Sequence, residues 1–183
     1  MTALHARPAR VPWPLVRPVA LGVLSFVLCL FAMTLVPLAL GWSSSVVLSG
    51  SMQPSITPGD VVVSAPLQAG DLVPGRVIRF RDPAQPGRYL VHRIVAVRPD
   101  HTLVTRGDAN AAADSTPVPA GNVTGTARLR VPWIGLPALW WRDGHHVRVV
   151  LLAGMLALLW CARHDGPVAR PQFRPASADP NRL

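Results

Sequence analysis

Two uncharged apolar runs stand on either side of a middle section of short, alternating segments. The first run extends from Val19 to Trp42, and at about 1.5 Å per residue a helix of this length crosses a hydrocarbon core of roughly 30 Å. The second run, Val149 to Ala162, is at the lower limit of spanning length, even with flanking side chains that reach the interface. The pattern predicts a transmembrane anchor over 19–42 and a second transmembrane helix over 149–162. A core or interfacial helix is the alternative for the second.

The first run also fits a cleaved signal peptide, because it follows a basic N-terminus. Two features favour an uncleaved anchor: the run exceeds the usual apolar region of about 7–15 residues, and Gly41-Trp42-Ser43 is a poor small-x-small cleavage site. Arginines outside both runs predict that both chain ends are cytoplasmic. The expected location is the plasma membrane, multi-pass, with the middle section extracytoplasmic. These arginines are Arg7, Arg10 and Arg17 before the first run and Arg163, Arg170, Arg174 and Arg182 after the second.

The middle section, residues 45–131, has the pattern of β-strands joined by turns. Short segments rich in Val, Ile and Thr alternate with Gly, Pro and Asp, and no stretch has helical periodicity of useful length. We predict a mainly β domain, barrel-like or coiled, with one N-terminal and one C-terminal transmembrane helix attached. The predicted strands are 46–48, 60–64, 76–81, 88–98, 102–106 and 123–131.

Three further segments complete the expected organisation. Residues 1–18 are predicted to be an irregular cytoplasmic N-terminus. Residues 132–148 contain several tryptophans, whose rings suit the membrane interface, so this segment is predicted to be interfacial. Residues 163–183 bear Pro and Arg with little to bury, and we predict a disordered cytoplasmic tail.

Composition narrows the function classes. The formal net charge is +9, but much of it adjoins the apolar runs, so topology explains it better than nucleic-acid binding. The chain has neither a helix-turn-helix pattern nor a basic face interleaved with aromatic residues. Cys29 and Cys161 each stand alone inside an apolar run, so neither a metal site nor a cofactor is predicted.

A loop rich in serine, glycine and proline lies between two predicted strands, at residues 49–60. Gly50 allows a close approach of another backbone, and the prolines stiffen the loop, so the Ser51 hydroxyl can be exposed and fixed as a nucleophile requires. The same residue types also form ordinary turns. Ser51 is therefore a candidate only if a base for its proton lies elsewhere in the chain.

His92 is the candidate base, because it alone among the six histidines falls within a predicted strand. Alternation places it on the face of Leu90 and Ile94, where a histidine is often a half-buried structural residue. An imidazole nevertheless titrates near neutral pH, which suits general-base chemistry. Since the chain contains no lysine, a Ser-Lys pair is excluded.

Two carboxylates, Asp108 and Asp114, follow the predicted strand 102–106. Either can accept the second imidazole N–H and so fix the tautomer of the ring. Asp108 could instead only cap a turn. The residues by themselves leave open which carboxylate orients His92.

Three segments, in this order, resemble the type I signal peptidase family. They are Ser-Gly-Ser-Met-x-Pro from Ser49, Val-His-Arg-Ile around His92, and Gly-Asp-x-Asn-x-x-x-Asp from Gly107 to Asp114. The chain is most similar to the endoplasmic-reticulum-type branch, also found in archaea and some Gram-positive bacteria, in which histidine replaces the catalytic lysine of other bacterial members. The absence of lysine agrees with that branch. The family commonly has two asparagines after Gly-Asp, whereas the first position here is Ala109.

The resemblance implies a membrane-bound serine endopeptidase that cleaves N-terminal signal peptides from exported pre-proteins after small residues. It assigns Ser51 as nucleophile, His92 as general base and Asp114 as the third member, with Asp108 second for the orienting role. The implied oxyanion hole is the Ser51 backbone N–H, and the Ser49 hydroxyl can add to it by its position two residues earlier. Expected partners are signal-peptide-bearing pre-proteins and the lipid bilayer, with the secretion translocon as a candidate, and no cofactor, metal or nucleic acid is implied.

Two other functions fit the same motifs. One is a dedicated peptidase that processes a few surface proteins, such as pilus or matrix proteins. The other is an inactive relative that serves as a membrane scaffold.

Overall fold

The structure, a computed structural model, describes residues 13–164. Most of the predicted cytoplasmic N-terminus and nearly all of the predicted disordered tail lie outside the described residues. The elements in chain order are α1 Trp13–Ala39, β1 Ser43–Val46, β2 Val61–Ala65, β3 Val77–Arg81, β4 Tyr89–Val97, β5 Thr102–Arg106, β6 Val118–Pro119, a 3-10 turn Ala120–Asn122, β7 Val123–Val131, α2 Leu136–Arg142 and α3 His146–His164.

The seven strands form one antiparallel sheet in the order β1-β2-β7-β3-β4-β5-β6. The prediction of a mainly β domain is confirmed. The strand predicted at 46–48 is instead β1, Ser43–Val46, which pairs with β2 from Ser43↔Ser64 to Val46↔Val61. Because β1 begins with three serines, an apolar pattern does not identify it. An edge strand can form with few buried side chains, since backbone hydrogen bonds to the neighbouring strand hold it.

The two faces of the sheet carry separate apolar clusters. One cluster is built from β3, β4 and β5 and includes Phe80, Ile94 and Leu103. The other brings Met52 and Ile56, from the loop after β1, against Val62 of β2. The loop that contains Ser51 is therefore anchored in the core on its C-terminal side.

Helix α1 contains a segment, Val16–Ala39, that is long and apolar enough to cross a membrane, with a mean hydropathy of 2.6. The N-terminal apolar helix is thereby confirmed, although it begins at Trp13 and ends at Ala39, earlier at both ends than the uncharged run. Leu30 and Trp42 pack against a cluster formed by β2 and β7, and the Ser44 hydroxyl donates to the Thr34 carbonyl at 3.1 Å. The sheet thus lies directly against the C-terminal part of α1.

The second predicted crossing is not confirmed. Helix α3 includes residues 149–162, but Arg148 and Arg163 limit its uncharged part to roughly 21 Å. Within residues 13–164, Val16–Ala39 is the single segment with the length and apolarity of a span. Helix α3 nevertheless packs alongside α1 and exposes large apolar side chains such as Leu151 and Leu158.

Candidate active site

The loop after β1 holds Ser51 between the edge of the sheet and a buried turn. Met52, the next residue, is only 2% exposed, and the Ile56 N–H donates to the Met52 carbonyl at 2.9 Å. These contacts fix the backbone that follows Ser51. Its hydroxyl lines a cleft on the surface of the sheet.

The residues that follow β5, 107–109, lie against the backbone of Ser51. The Ala109 N–H donates to the Ser51 carbonyl at 2.9 Å, and a Cβ atom added to Gly107 would lie 2.5 Å from the same oxygen. Glycine is required here because no side chain fits between the two backbones. The close approach predicted for Gly50 is thus found at Gly107, whereas a Cβ on Gly50 would meet only the flexible Gln53 side chain.

His92 lies in β4 with its ring directed at Ser51. It is 6% exposed and pairs with Ile78 of β3, and its ring meets the edge of Phe80 with the centroids 6.3 Å apart. The distance from His92 Nε2 to Ser51 Oγ is 3.1 Å, across 41 positions of sequence. The structure therefore brings the candidate nucleophile and the candidate base into hydrogen-bonding contact.

Asp114 contacts the second nitrogen of the His92 imidazole, so Ser51, His92 and Asp114 form one hydrogen-bonded line. Its Oδ2 lies 2.7 Å from His92 Nδ1 and also accepts a hydrogen bond of 2.7 Å from the Thr105 hydroxyl. The Asp114 N–H donates to the Thr105 carbonyl at 2.8 Å, which fixes the backbone from which the carboxylate projects. With Nδ1–H donating to Asp114, the lone pair of Nε2 faces the Ser51 hydroxyl and can accept its proton.

Asp108 lies away from the imidazole. Its two oxygens accept hydrogen bonds from Arg93 Nε at 2.9 Å and Nη2 at 2.7 Å. The hydrogen bond from Arg93 is the largest cause that lowers the pKa of Asp108, and the same contact raises the pKa of Arg93. The structure thus brings Asp114, and not Asp108, to His92.

The candidate oxyanion-hole groups lie beside the nucleophile. The Ser49 hydroxyl is 3.4 Å from the Ser51 hydroxyl. Among the hydrogen bonds within residues 13–164, none engages the Ser51 backbone N–H. Both groups are therefore available to donate to an atom bound next to Ser51 Oγ.

The cleft has a volume of about 730 Å³ and two walls. Residues 45–49 form one wall, and residues 88–92, which include the start of β4, form the other. β4 pairs with β3 from Tyr89 onwards, but its pairing with β5 begins only at Arg93. Residues 89–92 therefore offer a strand edge on which an extended peptide can add by backbone hydrogen bonds.

Three polar residues at the site were missed from sequence. Thr105 is fully buried, and its signal was a hydroxyl on the apolar face of β5. Arg93 directly follows His92, so alternation places it on the opposite face, where it meets Asp108. Arg79 lines the cleft, and no sequence pattern distinguished it from Arg81, the other arginine of β3.

Part of the chain that contains this site is similar to a known protein family. Residues 20–109 match the family model described as "Signal peptidase, peptidase S26". This segment belongs to the signal peptidase family. The match includes Ser51, His92 and Asp108, and it ends before Asp114.

A relative with the same family name supports the match. "Signal peptidase I W" of Bacillus subtilis (strain 168) is 40% identical over 91 residues, which are 48% of this chain and 47% of the relative. The matched stretch thus spans about half the length of that relative. The signal peptidase family consists of serine endopeptidases, so a serine hydroxyl in the cleft agrees with the chemistry of the family.

Proposed function

We propose that this protein is a membrane-bound serine endopeptidase that removes N-terminal signal peptides from exported pre-proteins. The observation that carries the proposal is the hydrogen-bonded line from Ser51 through His92 to Asp114, which begins in the signal peptidase segment. Its use of histidine as base matches the endoplasmic-reticulum-type branch of the family.

In the proposed mechanism His92 Nε2 removes the Ser51 proton while Oγ attacks the scissile carbonyl. The imidazolium then returns that proton to the leaving amine, and an acyl-enzyme remains. Water, deprotonated in turn by His92, releases the signal peptide and restores the Ser51 hydroxyl. Asp114 Oδ2 holds the Nδ1–H tautomer and stabilises the imidazolium in each step.

The negative charge that develops on the carbonyl oxygen needs donors already in place. The unengaged Ser51 N–H and the Ser49 hydroxyl are the proposed donors. One such donor typically contributes about 3 kcal/mol to transition-state stabilisation.

The substrate is proposed to bind as an extended strand between the two walls of the cleft. Backbone groups of residues 89–92 would supply affinity, and side chains on alternate faces would supply specificity. The walls near Ser51 carry aliphatic side chains, Val47, Leu48, Leu90 and Val91, which suits small apolar residues before the cleaved bond.

Membrane attachment is proposed to bring enzyme and substrate to the same surface. The sheet packs against the C-terminal part of α1, so the cleft lies close to the outer surface of the bilayer if α1 spans it. Packing of α3 along α1 supports a second crossing with a cytoplasmic C-terminus. The translocon that delivers pre-proteins is the candidate partner in this arrangement.

The proposal is tested by incubating the detergent-solubilised full chain with a pre-protein that carries a small-x-small cleavage site. Wild type should cleave after that site, and Ser51→Ala should reduce kcat/KM by at least about 10⁴-fold. Ser55→Ala, an exposed serine of the same loop, is the matched control and should retain activity.

Each other outcome selects a different function. Pre-protein binding without cleavage by wild type would identify an inactive scaffold. Cleavage restricted to a few surface proteins, such as pilus or matrix precursors, would identify a dedicated processing peptidase. Equal cleavage by wild type and Ser51→Ala would exclude Ser51 as the nucleophile.

A further inference from the structure

Arg79 lines the cleft and is held by side chains from three other strands of the sheet, β1, β4 and β7. Its Nε donates to the Ser45 hydroxyl at 2.7 Å, and its Nη1 donates to the Thr124 hydroxyl at 3.0 Å. The guanidinium carbon lies 3.9 Å from the centroid of the Tyr89 ring. These contacts fix the orientation of the guanidinium group without neutralising its charge.

The charge of Arg79 is not balanced by a carboxylate. Arg88 and Arg142 also line the cleft, but they form ion pairs with Asp82 and Asp143. Within the part of the chain that the structure describes, Arg79 forms no ion pair, and no acidic side chain lines the cleft. A half-buried guanidinium with only hydroxyl and ring partners is a site at which an incoming anion gains a strong interaction.

The pKa of Tyr89 is also affected by positive charge at this end of the cleft. Its pKa is lowered, chiefly by a hydrogen bond from Arg81 and by the charge of Arg81, with smaller effects of the same sign from Arg79. Two arginines of β3 therefore act on the side chain that lies over the guanidinium of Arg79.

The position of Arg79 relates it to the proposed cleavage point. Arg79 pairs with Val91, and Val91 directly precedes His92 in β4. Alternation directs Val91 and Tyr89 to the face of Arg79, and it directs His92 to the other face. A peptide strand along residues 89–92 advances about 3.3 Å per residue. Arg79 lies on β3, on the other side of β4 from this free edge, but it lines the same cleft as Ser51. A substrate side chain within about four residues of the cleaved bond can therefore approach the guanidinium across β4.

We infer that Arg79 is a specificity-determining residue that binds a substrate carboxylate, from Asp or Glu, close to the cleaved bond. The inference rests on the proposed function, since it assigns a subsite of the same cleft. Three of the five N–H donors of a guanidinium remain after the two hydrogen bonds to hydroxyls. Two of those three lie on Nη2, so they can bind a carboxylate while the existing contacts stay in place.

The test uses peptides that are identical except at one position, which carries Asp, Asn or Lys, scanned over four positions on each side of the cut. Wild type should prefer Asp to Asn by about tenfold in kcat/KM at one position and should disfavour Lys there. Arg79→Gln should remove this preference, so that its kcat/KM for the Asp peptide no longer exceeds its kcat/KM for the Asn peptide. Arg79→Lys, which keeps the charge and loses the planar fork, should retain part of it.

The matched control is Arg98→Gln, which removes the same charge from an exposed position outside the cleft. This variant should keep the full preference for Asp. A preference that weakens equally in both glutamine variants would reflect net charge alone and would overturn the inference.

Other outcomes separate this inference from the proposed function. Cleavage of the neutral peptide with no acidic preference at any position would overturn the subsite and leave the peptidase in place. If no peptide is cleaved, binding of the same peptides to Ser51→Ala, followed by fluorescence anisotropy, tests the subsite directly, and equal Kd values for Asp, Asn and Lys would refute it. An effect of Arg79→Gln that is equal for all peptides would assign Arg79 to the fold and would overturn the subsite.

Discussion

The two carboxylates that follow β5 have opposite surroundings. Asp108 makes a two-point ion pair with Arg93, whereas Asp114 accepts from the imidazole of His92 and the hydroxyl of Thr105. In the sequence both are acids in a loop of small residues, and either is suited to orient a histidine. The difference shows that proximity along the chain does not decide which carboxylate serves the imidazole.

The difference arises from the faces of β4 and the path of the loop. His92 and Arg93 are consecutive, so they project to opposite faces of the strand. The loop first wraps the Ser51 carbonyl, which brings Asp108 to the Arg93 face, and then returns to β5 through the hydrogen bond from the Asp114 N–H to the Thr105 carbonyl. Asp108 therefore holds the loop that contacts Ser51, and Asp114 holds the imidazole ring of His92.

The largest effect is expected from Asp114→Asn. The amide cannot accept the Nδ1–H as a carboxylate does, and it favours the wrong tautomer of His92, so kcat should fall by about 10⁴-fold with the fold intact. Pre-protein cleavage under single-turnover conditions measures the loss, and circular dichroism checks the fold.

Asp108→Asn is the matched substitution for this experiment. It removes one negative charge six positions away in sequence and should reduce kcat by less than about tenfold, because Asp108 does not contact the imidazole. Equal losses in the two variants, or a larger loss for Asp108→Asn, would contradict the division of roles between the two carboxylates.

An intermediate effect is expected from Thr105→Val, which keeps the shape of the side chain and removes its hydroxyl. Without that donor, Asp114 Oδ2 keeps only its hydrogen bond with His92, so the carboxylate is held less firmly. We therefore expect kcat to fall by about tenfold with KM nearly unchanged. The measurement is kcat and KM on one pre-protein across a pH series.

Thr105→Ser supplies the control, because it restores the hydroxyl without the methyl group. Recovery of kcat and of the pH profile by serine, but not by valine, would assign the effect to the hydrogen bond. Equal losses in both variants would indicate that Thr105 acts through packing alone.

The sequence predicted the β domain and the apolar N-terminal helix from its residue pattern. It predicted Ser51, His92 and Asp114 together only through resemblance to a family. Periodicity is local, so it identified strands such as β4 and the face on which His92 lies. It could not identify Gly107 as the glycine that meets Ser51, or Thr105 as a partner of Asp114, because both depend on strand register and on the path of a loop. Arg79 was missed for the same reason, since its partners come from β1, β4 and β7.

The smallest effect is expected on the pH dependence of stability, through Asp108. Hydrogen bonds from Arg93 lower the pKa of Asp108 below its ordinary value of 3.8, so the folded protein binds this proton more weakly than the unfolded chain. The ionised carboxylate therefore stabilises the fold above about pH 4 by on the order of 1 kcal/mol. This contribution is lost as the pH falls through the lowered pKa of the folded state.

Asp108→Asn should accordingly lower the melting temperature of the detergent-solubilised protein by a few degrees at pH 7, and the difference from wild type should close as the pH is lowered towards 2. Arg93→Gln removes the largest cause of the lowered pKa of Asp108 and should remove most of the same pH-dependent component, so the double variant should lose no more of it than Asp108→Asn alone. A difference between wild type and Asp108→Asn that stays constant from pH 7 to pH 2 would show that packing, and not the ion pair, accounts for the stabilisation. In that case the negative charge of Asp108 would not be needed to hold the loop that contacts Ser51.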